Sequence, residues 1–334
     1  MSVVVLGSAN LDLVYQVDTI PLPGETVLAN GFEQHPGGKG NNQVTAVARA
    51  GAEVTFVAAL GTDAAGEVLL ASLRASGVHE GIRRVDQPTG TALITVDAHA
   101  ENTIVVNSGA NAALREVSEG ELAMIRRADY LLLQLETPLP TVVTAAAAAR
   151  KAGTRVVLNA SPVRDLPGEL MENIDLLVVN EHEAERLSGE TARAKETVLP
   201  GGSVQTTVQT KGQAADSLLS LVPAVVITLG PAGSLVAVRG EAPAVVAGIR
   251  VDAVDTTGAG DTFCGALVAA LDTGGLDTGG LDTGGSSSER VLALDSLISA
   301  AEFATAAAAL SVQLVGAVPS IPTRAQVMHF RRTL

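Results

Sequence analysis

The sequence is poor in aromatic rings. Among 334 residues there are no tryptophans, two tyrosines and five phenylalanines. Valine, alanine and leucine must therefore fill the core, and a bound base finds no stacked aromatic cage. Cysteine occurs once, as Cys264, which excludes an intrachain disulfide and any cysteine cluster for zinc. Basic residues are outnumbered, 22 lysines and arginines against 36 acidic residues, for a formal charge of −14. Nucleic-acid binding leans on basic contacts to phosphate, so nucleic acid is not an expected partner. A small phosphate ligand remains compatible, because backbone N–H groups bind anions without net positive charge. No stretch reads as a membrane span; 142–150 is apolar but short. The start, MSVVVLGSAN, shows no targeting segment, and the expected location is the cytoplasm.

What is present alternates. Short β-branched or leucine-rich runs at 3–7, 54–61, 130–136, 155–161, 174–180 and 224–230 read as buried strands. Helical patterns fill 41–52, 64–77, 140–153 and 181–189, with Asn41 a candidate cap and Gly51 and Gly77 candidate ends. Such alternation predicts an α/β fold with a mostly parallel central sheet covered by helices on both faces. The segments 10–20 and 90–111 alternate polar and apolar residues instead, and predict a small accessory sheet. Two stretches read as tolerated insertions. LDTGG occurs three times within 271–289, far below any solenoid period, and predicts a mobile loop rather than a calcium loop. The polar stretch 201–213 also reads as a loop.

The stretch VDTTGAGDTFCGALVAAL, 254–271, carries the chemistry. Gly258, Ala259 and Gly260 offer almost no side chain and stand before Asp261 and an apolar run. If that run is a helix, its free N–H groups and its dipole favour an anion at 258–261. A backbone without Cβ atoms lets a phosphate come close. A carboxylate beside that anion would repel it, so Asp261 calls for another duty, and a general base acting on a hydroxyl fits. Taken alone, the same string also suits a capped helix after a glycine-rich turn.

The string is not alone. HPGGKGNNQ at 35–43 precedes it, as do GSANLD (7–12), PLPGETV (21–27), GANAAL (109–114), QLETPL (134–139), LNASPVRDLP (158–167), VNEHEAE (179–185) and ITLGPAGS (227–234); GAVPSIP (316–322) follows. In this order the sequence resembles the ribokinase branch of the PfkB sugar-kinase family over nearly its whole length. No G-x-x-x-x-G-K-[ST] occurs, so a P-loop kinase is excluded. The resemblance implies one domain over 1–334, with a small β-sheet lid from about 11–34 and 90–106 that often forms a dimer contact. It implies ATP-dependent phosphorylation of the 5-hydroxyl of D-ribose, with Asp261 as base and Gly258, Ala259 and Gly260 around the anion hole.

The resemblance also implies sugar contacts at Asn10, Asp12, Gly38, Lys39, Asn42 and Glu136. One carboxylate can accept hydrogen bonds from both hydroxyls of a diol, which suits Asp12. Nucleotide contacts would come from Asn180, Glu183, Thr228, Gly230, Gly233 and Gly260, with Glu183 orienting waters on Mg²⁺. An adenine pocket is expected between 227–234 and a helix at 300–312. A monovalent cation, K⁺, would rest on Asp255 and Thr257, and on Ser311, Leu314, Gly316 and Ser320. Competing readings are the same reaction on 2-deoxyribose, another small sugar or a nucleoside, and a non-catalytic binding protein on the same fold. Asp261 and the N-x-x-E pair speak against the last.

Overall fold

The strands form where apolar β-branched residues run without interruption, as strands buried on both faces require. The computed structural model describes residues 2–99, 101–189, 204–274 and 292–334. In chain order the first half comprises β1 (Ser2–Leu6), β2 (Asn10–Gln16), β3 (Gly31–Gly37), α1 (Lys39–Arg49), β4 (Glu53–Gly61), α2 (Ala64–Ala75), β5 (His79–Val85), β6 (Gly90–Val96), β7 (Asn102–Asn107), α3 (Glu119–Arg127), β8 (Tyr130–Leu133), α4 (Leu139–Ala152) and β9 (Arg155–Asn159). There follow α5 (Gly168–Met171), β10 (Leu176–Asn180), α6 (Glu181–Ser188), α7 (Val204–Leu219), β11 (Ala224–Thr228), β12 (Gly233–Val238), β13 (Ala244–Ala247), α8 (Ala259–Asp272), α9 (Leu294–Ser311), α10 (Ala317–Ser320) and α11 (Arg324–Arg331).

The large sheet has nine strands in the order β13-β12-β11-β10-β9-β8-β1-β4-β5. From β11 to β5 every pairing is parallel, while β12 runs against both of its neighbours. Alternate residues of β1 enter opposite cores. Val3 and Val5 join Val44, Val47, Leu267 and Phe303 on one face, and Val4 and Leu6 join Ile125, Val142 and Leu218 on the other. Helices α1, α8 and α9 thus cover the first face, and α3, α4 and α7 the second, as the sequence pattern predicts. A second sheet of four strands, β3-β2-β6-β7, stands apart from the first. Its β2 and β6 are parallel, and its outer ladders are antiparallel. No helix among the described residues is long and apolar enough to cross a membrane.

Local expectations fail at two places. Asn41 does not cap α1: the helix begins two residues earlier, behind Gly38 at φ 87°, and Asn41 is buried in its first turn. The Ser8 carbonyl accepts the Asn41 N–H at 2.9 Å, so the chain before the helix does what a cap would do. The stretch 201–213 is not a loop where it is described. From 204 it is helical, because the later part of α7 anchors on the core through Ala214, Ala215 and Leu218. Composition alone does not reveal that anchor. The LDTGG repeat begins at Leu271, within the last turn of α8, which ends at Asp272; beyond 274 it lies outside the described residues.

Candidate active site

All the large-sheet strands that matter here end on one edge. At or just past the C-terminal ends of β1, β8, β9, β10 and β11 come Ser8, Glu136, Asn159, Asn180 and Gly230. Open α/β sheets hold their ligands at that edge. The N-termini of α1 and α8 bring their unpaired N–H groups to the same place.

At α1 those groups are claimed by protein. The Lys39 N–H donates to Glu136 Oε2 at 3.0 Å, and Ser8 Oγ donates to the same oxygen at 2.5 Å. At α8 they are not. The Ala259 N–H donates to the Thr256 carbonyl and the Thr262 N–H to the Gly258 carbonyl. The N–H groups of Gly260 and Asp261, between them, have no partner among the described residues. Gly258 needs to be glycine, since its φ is 74° and a Cβ there would run into Ala317. Gly260 does not: a Cβ built there would meet nothing within 4 Å. A glycine inside a helix costs about 0.5–1 kcal/mol relative to alanine. The fold gives no return for it, so the open space in front of Gly260 is the reason that remains.

Asp261 is 7% exposed. Asn42 Nδ2 donates to its Oδ2 at 3.0 Å, and Gln43 Nε2 to its Oδ1 at 2.8 Å. Gln43 is itself held, since its Oε1 accepts from Gln134 Nε2 at 2.6 Å and its Nε2 also reaches Asn159 Oδ1 at 3.0 Å. Helix α8 comes this close to α1 because Gly265 packs on the Gln43 carbonyl and Ala46. The Lys39 ammonium has its pKa raised, chiefly by Asp261, against the opposing effect of burial and with help from Glu136 and Glu183. It therefore stays charged among three carboxylates. The neighbouring Cys264 thiol is pushed well up by burial and then by Asp261, which leaves it protonated and unreactive.

Asp12 lies on β2 opposite His35 of β3. Its pKa is raised from 3.8 to about 7, first by burial and then by Glu136, with His35 opposing and Asp261 adding. The folded chain thus holds this proton more tightly than the unfolded chain. The resulting stability is complete below about pH 4 and is lost as pH rises through about 7. Only the ionised group offers an acceptor oxygen to each of two hydroxyls, because protonation turns one of its oxygens into a donor. For a diol substrate, kcat/KM should fall up to about tenfold per unit as pH drops below 7. A pH profile of Asp12→Asn should lack that limb; an unchanged limb would show that Asp12 is not its source.

A cavity of about 730 Å³ runs from Gly260 between the turn after β11 and helix α9, within the size range of small-molecule sites. Thr228, Gly230, Gly233 and Gly260 line it, with Ala308 and Ala309 opposite. The segment 248–253 also lines it, as does Phe263, and sequence reasoning missed both. Asn180 and Glu183 stand at the start of α6 as a reciprocal cap. Asn180 Oδ1 accepts the Glu183 N–H at 2.8 Å, and Glu183 Oε2 accepts the Asn180 N–H at 2.9 Å. Among the described residues no three carboxylate, histidine or cysteine side chains cluster to cage a metal. A carboxylate and an amide at one helix start suit the orienting of waters on a Mg²⁺ that phosphates carry, since Mg²⁺ keeps much of its hydration.

Asp255 joins two loops. Its Oδ1 accepts the Thr257 N–H at 2.9 Å and its Oδ2 the Gly316 N–H at 2.8 Å. Burial pushes its pKa up, but these bonds outweigh burial and leave the carboxyl below its usual value. Ser311 and Ser320 are buried nearby in sequence, their hydroxyls turned to the Ala308 and Ala317 carbonyls, while Leu314 is exposed. An anionic carboxylate that ties these two loops together is a hard oxygen donor of the kind a cation site uses, although both its oxygens already accept backbone N–H groups.

Gln43, Gln134, Asn159 and Ser8 escaped notice as functional residues. Each lies inside one of the motifs GSANLD, HPGGKGNNQ, QLETPL and LNASPVRDLP, but its partners are distant in the chain and nothing local marks its role.

Comparison with known proteins comes out one way. The model of the pfkB family of carbohydrate kinases matches residues 1–324. A ribokinase of Haemophilus influenzae is 39% identical over 330 residues, spanning 98% of this chain and 97% of that one. The crystal structure of a Thermotoga maritima ribokinase superposes with a TM-score of 0.82 at 33% identity, covering 99% of both chains. An Arabidopsis thaliana ribokinase complexed with ribose and ATP gives the same TM-score at 33% identity, over 98% of this chain and 97% of that one.

Proposed function

The chain belongs to the pfkB family of carbohydrate kinases, and from that membership we propose that it transfers the γ-phosphoryl group of ATP to the 5-hydroxyl of D-ribose. One observation carries the reading: the unclaimed N–H groups of Gly260 and Asp261, at an opening no side chain fills, beside a buried carboxylate. The relatives named above supply the substrates, and Asn10, Asp12, Gly38, Lys39, Asn42 and Glu136 supply the donors and acceptors a pentose needs.

Asp261 takes the proton of the 5-hydroxyl as its oxygen bonds to the γ-phosphorus. The bond from phosphorus to the bridging oxygen breaks, and ADP leaves. The 258–261 backbone holds the charge that develops on the phosphoryl oxygens. The base of ATP occupies the cavity beside α9, with Thr228, Gly230 and Gly233 along the phosphates. Mg²⁺, with waters oriented by Asn180 and Glu183, would neutralise phosphate charge. K⁺ at Asp255, Thr257, Ser311, Leu314, Gly316 and Ser320 would stiffen the anion-hole loop. The second sheet serves as a lid that excludes water as a competing acceptor. An ATP-dependent reaction favours the cytoplasm, a location that cell fractionation tests.

A sugar panel coupled to ADP release, run with and without potassium, tests this reading. Ribose should give the highest kcat/KM, and omission of potassium should lower the rate. 2-Deoxyribose, which leaves Asp12 one hydroxyl short, should fall behind by about 10- to 100-fold. No ADP release with any pentose would end the proposal, and equal use of both sugars would remove Asp12 from the sugar contacts.

The lid sheet exposes Phe32, Leu93, Ile104, Val105 and Val106. That much apolar surface on a small sheet favours pairing with a second copy. Sedimentation should find a dimer at micromolar concentration that Val105→Lys dissociates; a monomeric wild type would contradict it.

A further inference from the structure

The pair Asn10 and Asn111 holds information that the reaction does not use by itself. Asn111 lies in a 3-10 turn, Gly109–Ala113, directly after β7, where the chain returns from the small sheet to the body. It is 3% exposed. Its Oδ1 accepts the Ala9 N–H at 2.9 Å, and its Nδ2 donates to the Ala9 carbonyl at 3.1 Å and to Asn10 Oδ1 at 2.8 Å. This pattern permits one amide orientation. A backbone N–H can only donate, so the Asn111 atom facing it is oxygen. Its nitrogen then faces Asn10, so the Asn10 atom it meets is also oxygen. The Asn10 nitrogen is turned away, and it has no hydrogen-bond partner among the described residues.

We propose that Asn111 is a positioning residue that sets the polarity of Asn10, so that Asn10 meets the sugar as a hydrogen-bond donor. The inference rests on Asn10 being a sugar contact in the reaction proposed above. Its chemical sense comes from Asp12, two residues along β2. The carboxylate can only accept, so a sugar hydroxyl that donates to it has its oxygen lone pairs free. A donor beside it completes the recognition of a hydroxyl; a second acceptor would repel those lone pairs. Gly90, the first residue of β6, adds weight. It pairs with Asn10 in the sheet, and a Cβ there would collide with both Asn10 Oδ1 and Asn111 Nδ2. The two amides are therefore packed as a unit where β6 leaves the body and β7 returns to it.

Asn111→Asp tests this. The new carboxylate still accepts the Ala9 N–H, but it turns the Asn10 nitrogen toward itself and leaves the Asn10 oxygen facing the sugar. Ribose binding, measured by titration calorimetry, should weaken about 10- to 100-fold, with ATP binding changed less than about twofold. In an Asn10→Ala background the same substitution should change ribose binding by less than about twofold, because the residue it acts through is gone. An equal loss in both backgrounds would overturn the proposal, as would a lowered Tm with ribose binding intact. Should Asn111→Asp not fold, Asn10→Asp gives the reversed polarity without touching Asn111. It should weaken ribose to a similar degree, and unchanged binding would again overturn the inference. Calorimetry needs no turnover. A wild type that binds ribose but releases no ADP would defeat the proposed reaction and leave these comparisons standing.

Discussion

Asp261→Asn should lower kcat by about 10²–10⁴-fold while ribose binding stays within a few-fold of wild type. The surroundings of Asp261 explain why the loss falls on chemistry and spares the fold. Gln43 cannot turn over, because its oxygen is occupied by Gln134 and its nitrogen by Asn159. The carbonyl of the introduced amide therefore faces Gln43. Its nitrogen faces Asn42, whose buried Oδ1 has no partner among the described residues of the wild type and can accept after a simple amide flip. Every hydrogen bond is kept, and only the basic lone pair is lost. Rates of ADP release and calorimetric ribose binding measure the two halves separately. A kcat within tenfold of wild type would show that the hydroxyl proton goes elsewhere.

Gly260→Ala should separate stability from activity in the opposite direction. The added methyl meets no protein atom and replaces the poorest helix former but proline with the best. The unliganded protein should gain about 0.5–1 kcal/mol, or about 2 °C in Tm. The same methyl enters the space before the unclaimed N–H groups, where it holds a phosphoryl oxygen off the backbone. Loss of such donors costs about 10²–10³-fold, read as kcat/KM for ATP. Kinetics unchanged in a stabilised variant would reduce the glycine-rich turn to an ordinary helix start.

The layered fold was legible because β1, β8, β9, β10 and β11 are apolar runs that fit nothing but a sheet buried on both faces. The bare backbone at 258–261 was legible for the opposite reason. Gly260 is a residue that packing does not want, and such residues stand out in a sequence. The amide chain through Gln43, Gln134 and Asn159 was not legible, because each link joins positions about a hundred residues apart. Nothing local distinguishes a glutamine that holds a carboxylate from one that meets solvent. Asn41 misled for a related reason: its residue type suits a helix cap, but Ser8, on a distant strand end, supplies the acceptor. The N-x-x-E pair at Asn180 and Glu183 is legible as a motif, but what the fold makes of it is a reciprocal cap at the start of α6. The start of α7 escaped because its anchor on the core lies beyond the polar stretch.

The division of the edge between early and late sequence has a consequence for synthesis. Asn10, Asp12, Lys39, Asn42 and Glu136 leave the ribosome first, and α8, wedged between α1 and α9, leaves near the end. Under the reaction proposed above, a nascent chain carries its sugar contacts long before it owns a base or a phosphate grip. Turnover would then wait for the last helices to dock, and an unfinished polypeptide would have no means of spending ATP.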